Sequence, residues 1–395
     1  MFLPIVKPVV RIALRIVSII IFALTIVSAY GGYADTRYVG FLGVMVMALP
    51  YLAILTMIIT VLWFMAKRWI TGGLGIATLV AIWGPLMGAF PLRAERNPSP
   101  GAQDFTLLSW NWLHGWDQNY DVRWDGNGIR TTNQPENQSL QFILDTDADI
   151  VCLQECTAWN DSEPPRLDSY RARWDKQYPH SAFEPGKDNR VFSKYPVRAV
   201  PMSTVLDNTL GGVPDYISDK RLLQFFSFYE VDVPNHPLLL VNVHLYSPGL
   251  TDHERNVVTD IRSVDTAKES ASEFKSTIYS KLKFAFQCHR EQLSLICDVV
   301  RKFQGPTIVC GDFNDVPESY AWRMLVKEGF KDAYAQVGFG PMVTYNKHLF
   351  WFHIDQIMYR GPLYPLSVRK GKIKTSDHYP LIATFEFEQG KSSKN

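Results

Sequence analysis

Hydrophobic residues follow two different patterns along this chain. Up to residue 92 they form three long uncharged runs, 16–34, 38–66 and 69–92, interrupted by Asp35 and Arg37 and then by Lys67 and Arg68. Each is long enough to cross a bilayer, which takes about 20 apolar residues at 1.5 Å of rise per residue. Farther along, the apolar runs shorten to strand length: FTLLSW (105–110), DIVCLQ (149–154), PLLLVNVHL (237–245), PTIVC (306–310), IDQIMY (354–359) and LIATFEF (381–387). These are rich in β-branched and aromatic residues and are separated by polar loops, the pattern of sheet strands.

The first pattern predicts three transmembrane helices at 12–34, 40–66 and 70–91, since three such runs in succession are hard to bury in a globular core. A cleaved signal peptide is the alternative for the first run, because Lys7, Arg11 and Arg15 precede it and it ends in Val27-Ser28-Ala29. No ionisable residue interrupts the runs, which favours an anchor over a transport pathway, and Pro50 marks a kink in the second. Basic residues concentrate in the N-terminal arm and at 67–68, against Arg37, Arg93 and Arg96 on the other side. Basic loops stay cytoplasmic, so a multi-pass membrane protein is expected with residue 91 onward outside the cytoplasm. Residues 93–104 read as a Pro-rich polar linker into a domain at 105–390.

Within that domain, helical stretches fall between strands. Asn133 is placed to cap a helix at 134–146, and Leu293, Ile296, Cys297, Val300 and Phe303 recur at helical spacing through 284–304. Residues 251–285 are polar, charged and free of Pro and Gly, which predicts an additional helical insertion. Mixed strands and helices over this length indicate an α/β or α+β domain with a large sheet system.

Charge and cysteine content narrow the function. Of 40 Lys and Arg residues only Lys7, Arg11, Arg15, Arg37, Lys67 and Arg68 precede residue 91, and of 39 acidic residues only Asp35, so the later part is slightly acidic. That gives no general electrostatic footprint for long nucleic acids, although a local basic cleft remains open. Cys152, Cys156, Cys288, Cys297 and Cys310 have no zinc-ligand spacing; Cys152 and Cys310 fall in strand-like runs as small buried hydrophobes, with a disulfide in an oxidising compartment left open.

Polar groups suited to metal and phosphate chemistry gather near the ends of the predicted strands. Asn111 ends the first, Gln154-Glu155 the second, Asn242 and His244 lie in the third, and Asp312-Phe313-Asn314-Asp315 ends the fourth; Asp355 begins the fifth and Ser376-Asp377-His378 precedes the last. Taken singly, each has an ordinary explanation as a solvated loop, a hydrogen-bonded strand histidine or an Asx-rich turn. Together they supply what phosphoester hydrolysis requires. Glu155 and an amide oxygen such as that of Asn111 suit a hard cation, an Asp-His pair suits water activation, and His244 with Asn314 can donate to phosphoryl oxygens.

At these residues the chain resembles the endonuclease/exonuclease/phosphatase superfamily, the fold of DNase I, abasic-site endonucleases, neutral sphingomyelinases and inositol polyphosphate phosphatases. The matching strings, in the family's order over about 105–387, are LLSWN (107–111), LQE (153–155), VFSKYPV (191–197), VNVHL (241–245), HREQL (289–293), VCGDFND (309–315), TY (344–345), HIDQIMY (353–359) and SDHYPL (376–381). With its hydrophobic N-terminus and the 251–285 insertion, the chain is similar to the membrane-anchored bacterial branch, which implies the bacterial inner membrane.

The resemblance implies a four-layer α/β sandwich of two packed mixed sheets flanked by helices, preceded here by the three membrane helices. It implies one or two Mg²⁺ or Mn²⁺ ions held by Glu155 with Asn111 beside it. His244 and Asn314 would contact the scissile phosphate, Asp312 would orient or deprotonate water, Asp377 would support His378, and Asp355 would brace the site. His353 and Asn189-Arg190 depart from the family pattern, so Arg190, Tyr345 and His353 become candidates for substrate contact; a surface salt bridge is the alternative for Arg190. The expected activity is a phosphodiesterase or phosphatase acting on lipid head groups, with the membrane as its partner and no protein partner evident. The alternatives are an extracytoplasmic nuclease acting on nucleic acid and a non-catalytic module that binds a phosphorylated ligand or a protein.

Overall fold

A computed structural model describes residues 3–113, 122–125, 128–131, 138–156, 170–251, 254, 277–347 and 350–388. Among them, twelve strands form two six-stranded sheets. One runs, edge to edge, Leu363–Lys370, Leu381–Phe387, Asp104–Asn111, Ile150–Gln154, Arg190–Ser193 and His180–Phe183. The other runs Lys331–Asp332, Asp355–Arg360, Thr307–Asp312, His236–His244, Phe226–Val233 and Val197–Val200. Each sheet is mixed, with one parallel pair at its centre: Asp104–Asn111 beside Ile150–Gln154, and Thr307–Asp312 beside His236–His244.

Alternate residues of these strands face opposite sides, and both sides are apolar because both are covered. Phe105, Leu107, Ile150 and Cys152 of the first sheet pack between the sheets against Leu240, Ile308, Cys310 and Ile357 of the second. On the outer face of the first sheet, Leu108, Val151 and Leu153 meet Leu140, Ile143 and Leu144 of helix Gln138–Thr146. On the outer face of the second, Val241, Val243 and Val309 meet Leu293, Ile296 and Val300 of helix Tyr279–Val300. Helix, sheet, sheet and helix make the four layers. Burying each such aliphatic side chain stabilises the fold by about 1.5–3 kcal/mol.

The six predicted strand runs all become strands, and the predicted 284–304 helix lies within and just beyond Tyr279–Val300. The expected start of the 134–146 helix and most of the 251–285 insertion lie outside the described residues. All five cysteines are buried and free, so none forms a disulfide.

The N-terminal region needs a correction. One described helix is long and apolar enough to cross a membrane, spanning Pro8–Tyr33. The expected spans 40–66 and 70–91 are not single rods: Gly40–Met47 meets Leu49–Met65 at 59°, and Trp69–Ala81 meets Trp83–Ala89 at 58°. The breaks fall just before Pro50 and Pro85. A proline ring lacks the N–H for the helical ladder and collides with the carbonyl four residues earlier.

These helices pack with inverted polarity. Ser18, Thr25, Thr56, Thr60 and Thr78 are buried, while Ile16, Ile19, Ile20, Ile58, Val61 and Leu62 are exposed. Thr25 Oγ1 lies 2.8 Å from Thr56 Oγ1, and Trp63 Nε1 donates to Ser18 Oγ at 2.9 Å. A Cβ at Gly75 would sit 2.0 Å from Thr60 Oγ1, so only glycine permits that approach.

The helices also dock on the sandwich. Arg290 Nε lies 3.3 Å from Asp35 Oδ2, the Arg323 guanidinium stacks 3.4 Å from the Tyr33 ring centre, and Val46 packs against Val316 and Ile354. The expected 93–104 linker lies along the domain: Arg93 N donates to Gly338 O and Arg96 N to Leu366 O.

Candidate active site

Strand register assembles the site. In the second sheet Asp312 pairs with His244 on one side and with Asp355 on the other, so three chemical groups from three strands lie in one row. In the first sheet Asn111 pairs with Gln154, which places Glu155 just past the same edge. The two rows face each other across the top of the sandwich.

The backbone at this edge is unusual. Glu155 and Asn314 take left-handed conformations at φ 52° and 48°, which cost energy for residues with a side chain and persist where their surroundings hold them. Gly311 has φ 137°, and a Cβ there would fall 1.9 Å from Val243 O, so a larger residue would push apart the strands carrying Asp312 and His244.

Asp312 is the hub. Asn111 Nδ2 donates to Asp312 Oδ2 at 3.1 Å and to Glu155 Oε1 at 3.0 Å. The same Asp312 oxygen lies 3.6 Å from His378 Nε2 and 3.8 Å from His244 Nε2. Asn314 N donates to Asp312 Oδ1 at 2.8 Å, and Asn314 Nδ2 donates to Leu245 O at 3.0 Å. Burial pushes the Asp312 carboxyl above the usual range, and Asp355 adds to this, while the flanking imidazoles pull it back.

Each histidine has its own carboxylate. His378 Nδ1 is 2.9 Å from Asp355 Oδ2, and His244 Nδ1 is 3.0 Å from Asp188 Oδ2. Burial opposes the charged form of His244, but Asp188, Asp312 and Glu155 outweigh it and raise its pKa to about 9. His378 is likewise raised against the effect of burial, chiefly by Asp355 and then Asp312, to about 10.

Two expectations change here. The carboxylate that engages the His378 ring is that of Asp355, brought there by its strand, while Asp377 adds only a smaller charge effect. Asp377 instead lines the cavity. Asp188 is not among the expected site residues. It sits in the turn before Asn189-Arg190, next to the residues that depart from the family pattern, and only its contact with His244 reveals it.

The remaining candidates divide. Tyr345 joins the site, its ring centre 5.0 Å from that of His378. Arg190 does not line the catalytic cavity; its guanidinium stacks 4.1 Å from the Phe183 ring centre. His353 also lies outside that cavity, buried against the edge of Tyr334, and burial pushes its pKa down.

Beneath the site, polar groups tie the two sheets together. Gln154 Nε2 donates to Asn242 Oδ1 at 2.7 Å, and Asn242 Nδ2 donates to Leu153 O at 3.1 Å. Asn189 Nδ2 donates to Asn242 O at 2.9 Å. Above it opens a cavity of about 380 Å³, lined on one side by Asn111, Glu155, His244, Asp312, Asn314 and His378.

The donors fit a divalent cation. Asn111, Glu155 and Asp312 offer the oxygen ligands a hard cation requires. Asp312, Asp355 and His378 also bring ligand atoms within 4.8 Å of one another, and Asp355 Oδ1 is buried without a hydrogen-bond partner. Because His378 Nδ1 is already engaged by Asp355, the oxygen set at Asn111 and Glu155 suits Mg²⁺ or Mn²⁺ better.

The model of the endonuclease/exonuclease/phosphatase family matches residues 108–378, a stretch that begins in the strand of Asn111 and ends on His378. The chain belongs to this family. Members of the endonuclease/exonuclease/phosphatase family are usually hydrolases of phosphoesters and generally use divalent metal ions.

Solved structures similar to the chain include an endonuclease/exonuclease/phosphatase from Beutenbergia cavernae, 18% identical over 72% of each chain with a TM-score of 0.46. The human Nocturnin catalytic domain with bound sulfate is 17% identical, covering 75% of this chain and 97% of that one, TM-score 0.42. A Staphylococcus aureus beta toxin is 14% identical over 72% of this chain and 100% of its own, TM-score 0.40. No curated protein matches the sequence.

Proposed function

We propose that this family member is a membrane-held, divalent-metal-dependent phosphoester hydrolase whose substrate is the head-group ester of a lipid. One observation carries the reading: the cavity that gathers Asn111, Glu155, His244, Asp312 and His378 is also lined by Val44, Met47, Ala48 and Tyr51 of the N-terminal helices. Polar chemistry and an apolar wall face each other across one space. The inverted polarity of those helices supports a bilayer around them, since exposed Ile and Val over buried Ser and Thr suits lipid and not water. The proposed topology is three spans, two of them bent, with residue 91 onward outside the cytoplasm.

Glu155 and Asn111 would hold the cation, which when bound neutralises charge on the phosphate. Asp312, hydrogen-bonded by Asn111 and Asn314 N and made more basic by burial, would orient the attacking water and accept its proton. His244 and His378, fixed by Asp188 and Asp355, would present Nε2 protons to the phosphoryl oxygens as charge develops. Asn314 and Tyr345 would contact the phosphate and its ester, and Asp377 the head group. The position of Arg190 does not favour the substrate contact expected of it, and His353 does not line the cavity where the ester would react.

The test is hydrolysis by the purified full chain of sphingomyelin, phosphatidylinositol and plasmid DNA, with Mg²⁺, with Mn²⁺ and with EDTA. Metal-dependent release of a lipid head group is expected. Cleavage of DNA alone would establish the nuclease alternative, and inactivity on every ester with either metal would leave a binding module.

A further inference from the structure

A second cavity of about 260 Å³ adjoins the catalytic one, and Met47, Tyr51 and Phe352 line both. Its remaining wall is almost wholly apolar, including Leu49, Pro50 and Ile54 from the bend between Gly40–Met47 and Leu49–Met65, Phe90 from the end of the last N-terminal helix, and Val316 and Met342 from the sandwich. Among the described lining residues only His353 can carry charge near neutrality, and burial favours its neutral form. Tyr51 and Ile54, at 50% and 52% exposure, also belong to the outer surface of their helix, so the cavity opens toward the face that meets lipid.

Apolar space of this kind has a physical use. Polar groups or water would lose hydrogen bonds there, whereas a hydrocarbon chain would lose nothing. The volume accommodates roughly eight groups the size of a water molecule. We propose that this cavity seats one hydrocarbon chain of a lipid phosphoester while the ester lies at Asp312 and His378, so that the N-terminal helices form part of the substrate site. Met47, Tyr51 and Phe352, shared by the two cavities, then mark where the chain leaves the head group. The inference rests on the lipid hydrolase reading, and it adds the place of the tail and a preference for tail length.

The experiment uses the full chain in lipid nanodiscs with Mg²⁺ and a series of p-nitrophenyl alkyl phosphodiesters from ethyl to octyl. Two substitutions narrow the apolar cavity, Ala89→Trp and Val343→Trp. Chain length also drives substrate into the disc, but equally for every protein, so the slope of log kcat/KM against methylene number is compared between wild type and each substituted protein. Wild type is expected to show the steeper slope, by up to about fourfold in kcat/KM for each added methylene. Equal slopes in all three proteins would overturn the chain seat and leave the hydrolase reading standing. Should neither substituted protein fold, the wild-type slope is compared with directly measured partition into empty discs, and a slope no steeper than partition overturns the proposal. Failure to hydrolyse even the ethyl ester with either metal would instead overturn the hydrolase reading, and the chain seat with it.

Discussion

The helices before residue 92 bury Ser18, Thr25, Thr56 and Thr60 and turn Ile and Val outward, whereas the sandwich buries Leu107, Leu240, Ile308 and Phe385 and leaves Arg171, Arg198 and Arg221 in solvent. On the proposed membrane-held reading, each region hides what its surroundings tolerate least. In the sandwich, stability comes from removing apolar surface from water. On the membrane-held reading proposed above, lipid offers the helical region no such gain, and close packing with short hydroxyl hydrogen bonds holds the helices together. The candidate site lies where the two regions meet and draws its polar groups from one and part of its wall from the other.

The sharpest separation of the two regions is chemical. Asp312→Asn removes the proposed proton acceptor and is expected to lower kcat by about a thousandfold, and EDTA should abolish turnover, both read with a chromogenic phosphodiester. An active Asp312→Asn enzyme would place the chemistry elsewhere. Asp355→Asn strips His378 of its orienting carboxylate and should cost about a hundredfold in kcat while altering the pH profile. Asp377→Asn should cost far less, which would confirm that contact in space, not adjacency in sequence, decides the partner.

Stability measurements extend the contrast. Leu240→Ala, between the sheets, should destabilise the sandwich by about 3 kcal/mol in denaturant unfolding. At the junction, burial raises Glu318 to about 7 from an ordinary 4.5, against the pull of Arg323. The folded protein holds this proton more tightly than the unfolded chain, so the stabilisation is full below about pH 4.5 and is lost as pH rises through about 7. Wild type should therefore lose on the order of 2 kcal/mol relative to Glu318→Gln between about pH 5 and 8, followed by thermal melts. Within the helices, Thr56→Val should cost only about 0.6 kcal/mol despite complete burial. A loss at Thr56 as large as that at Leu240 would erase the distinction.

Much of the sandwich is legible in the sequence because strand signals are local. A buried strand needs a short β-branched run, and a chemical residue at its end is visible as an interruption of that run, as with Asn111, Glu155, His244 and Asp312. Pairing is not local. Nothing in the run IDQIMY shows that Asp355 stands beside Asp312, and the resemblance implies Asp377, the neighbour in the chain, as the support of His378. Asp188 lies in a turn, where the polar sequence EPGKDNR gives every residue a solvent-facing explanation. The bends at Pro50 and Pro85 have a local cause, but the docking of the bent helices against Val316, Ile354 and Phe286 depends on surfaces hundreds of residues apart.

That docking bears on how such a protein can evolve. An ordinary tether is a replaceable part: any hydrophobic segment of sufficient length keeps its cargo at the bilayer. Here Val44, Met47, Ala48 and Tyr51 line the candidate site, so on the proposed reading a graft of the sandwich onto a foreign anchor would carry every polar group of the site and still lack part of its wall. A change of residue on either side would reshape the one space that the first ninety residues and the last three hundred share.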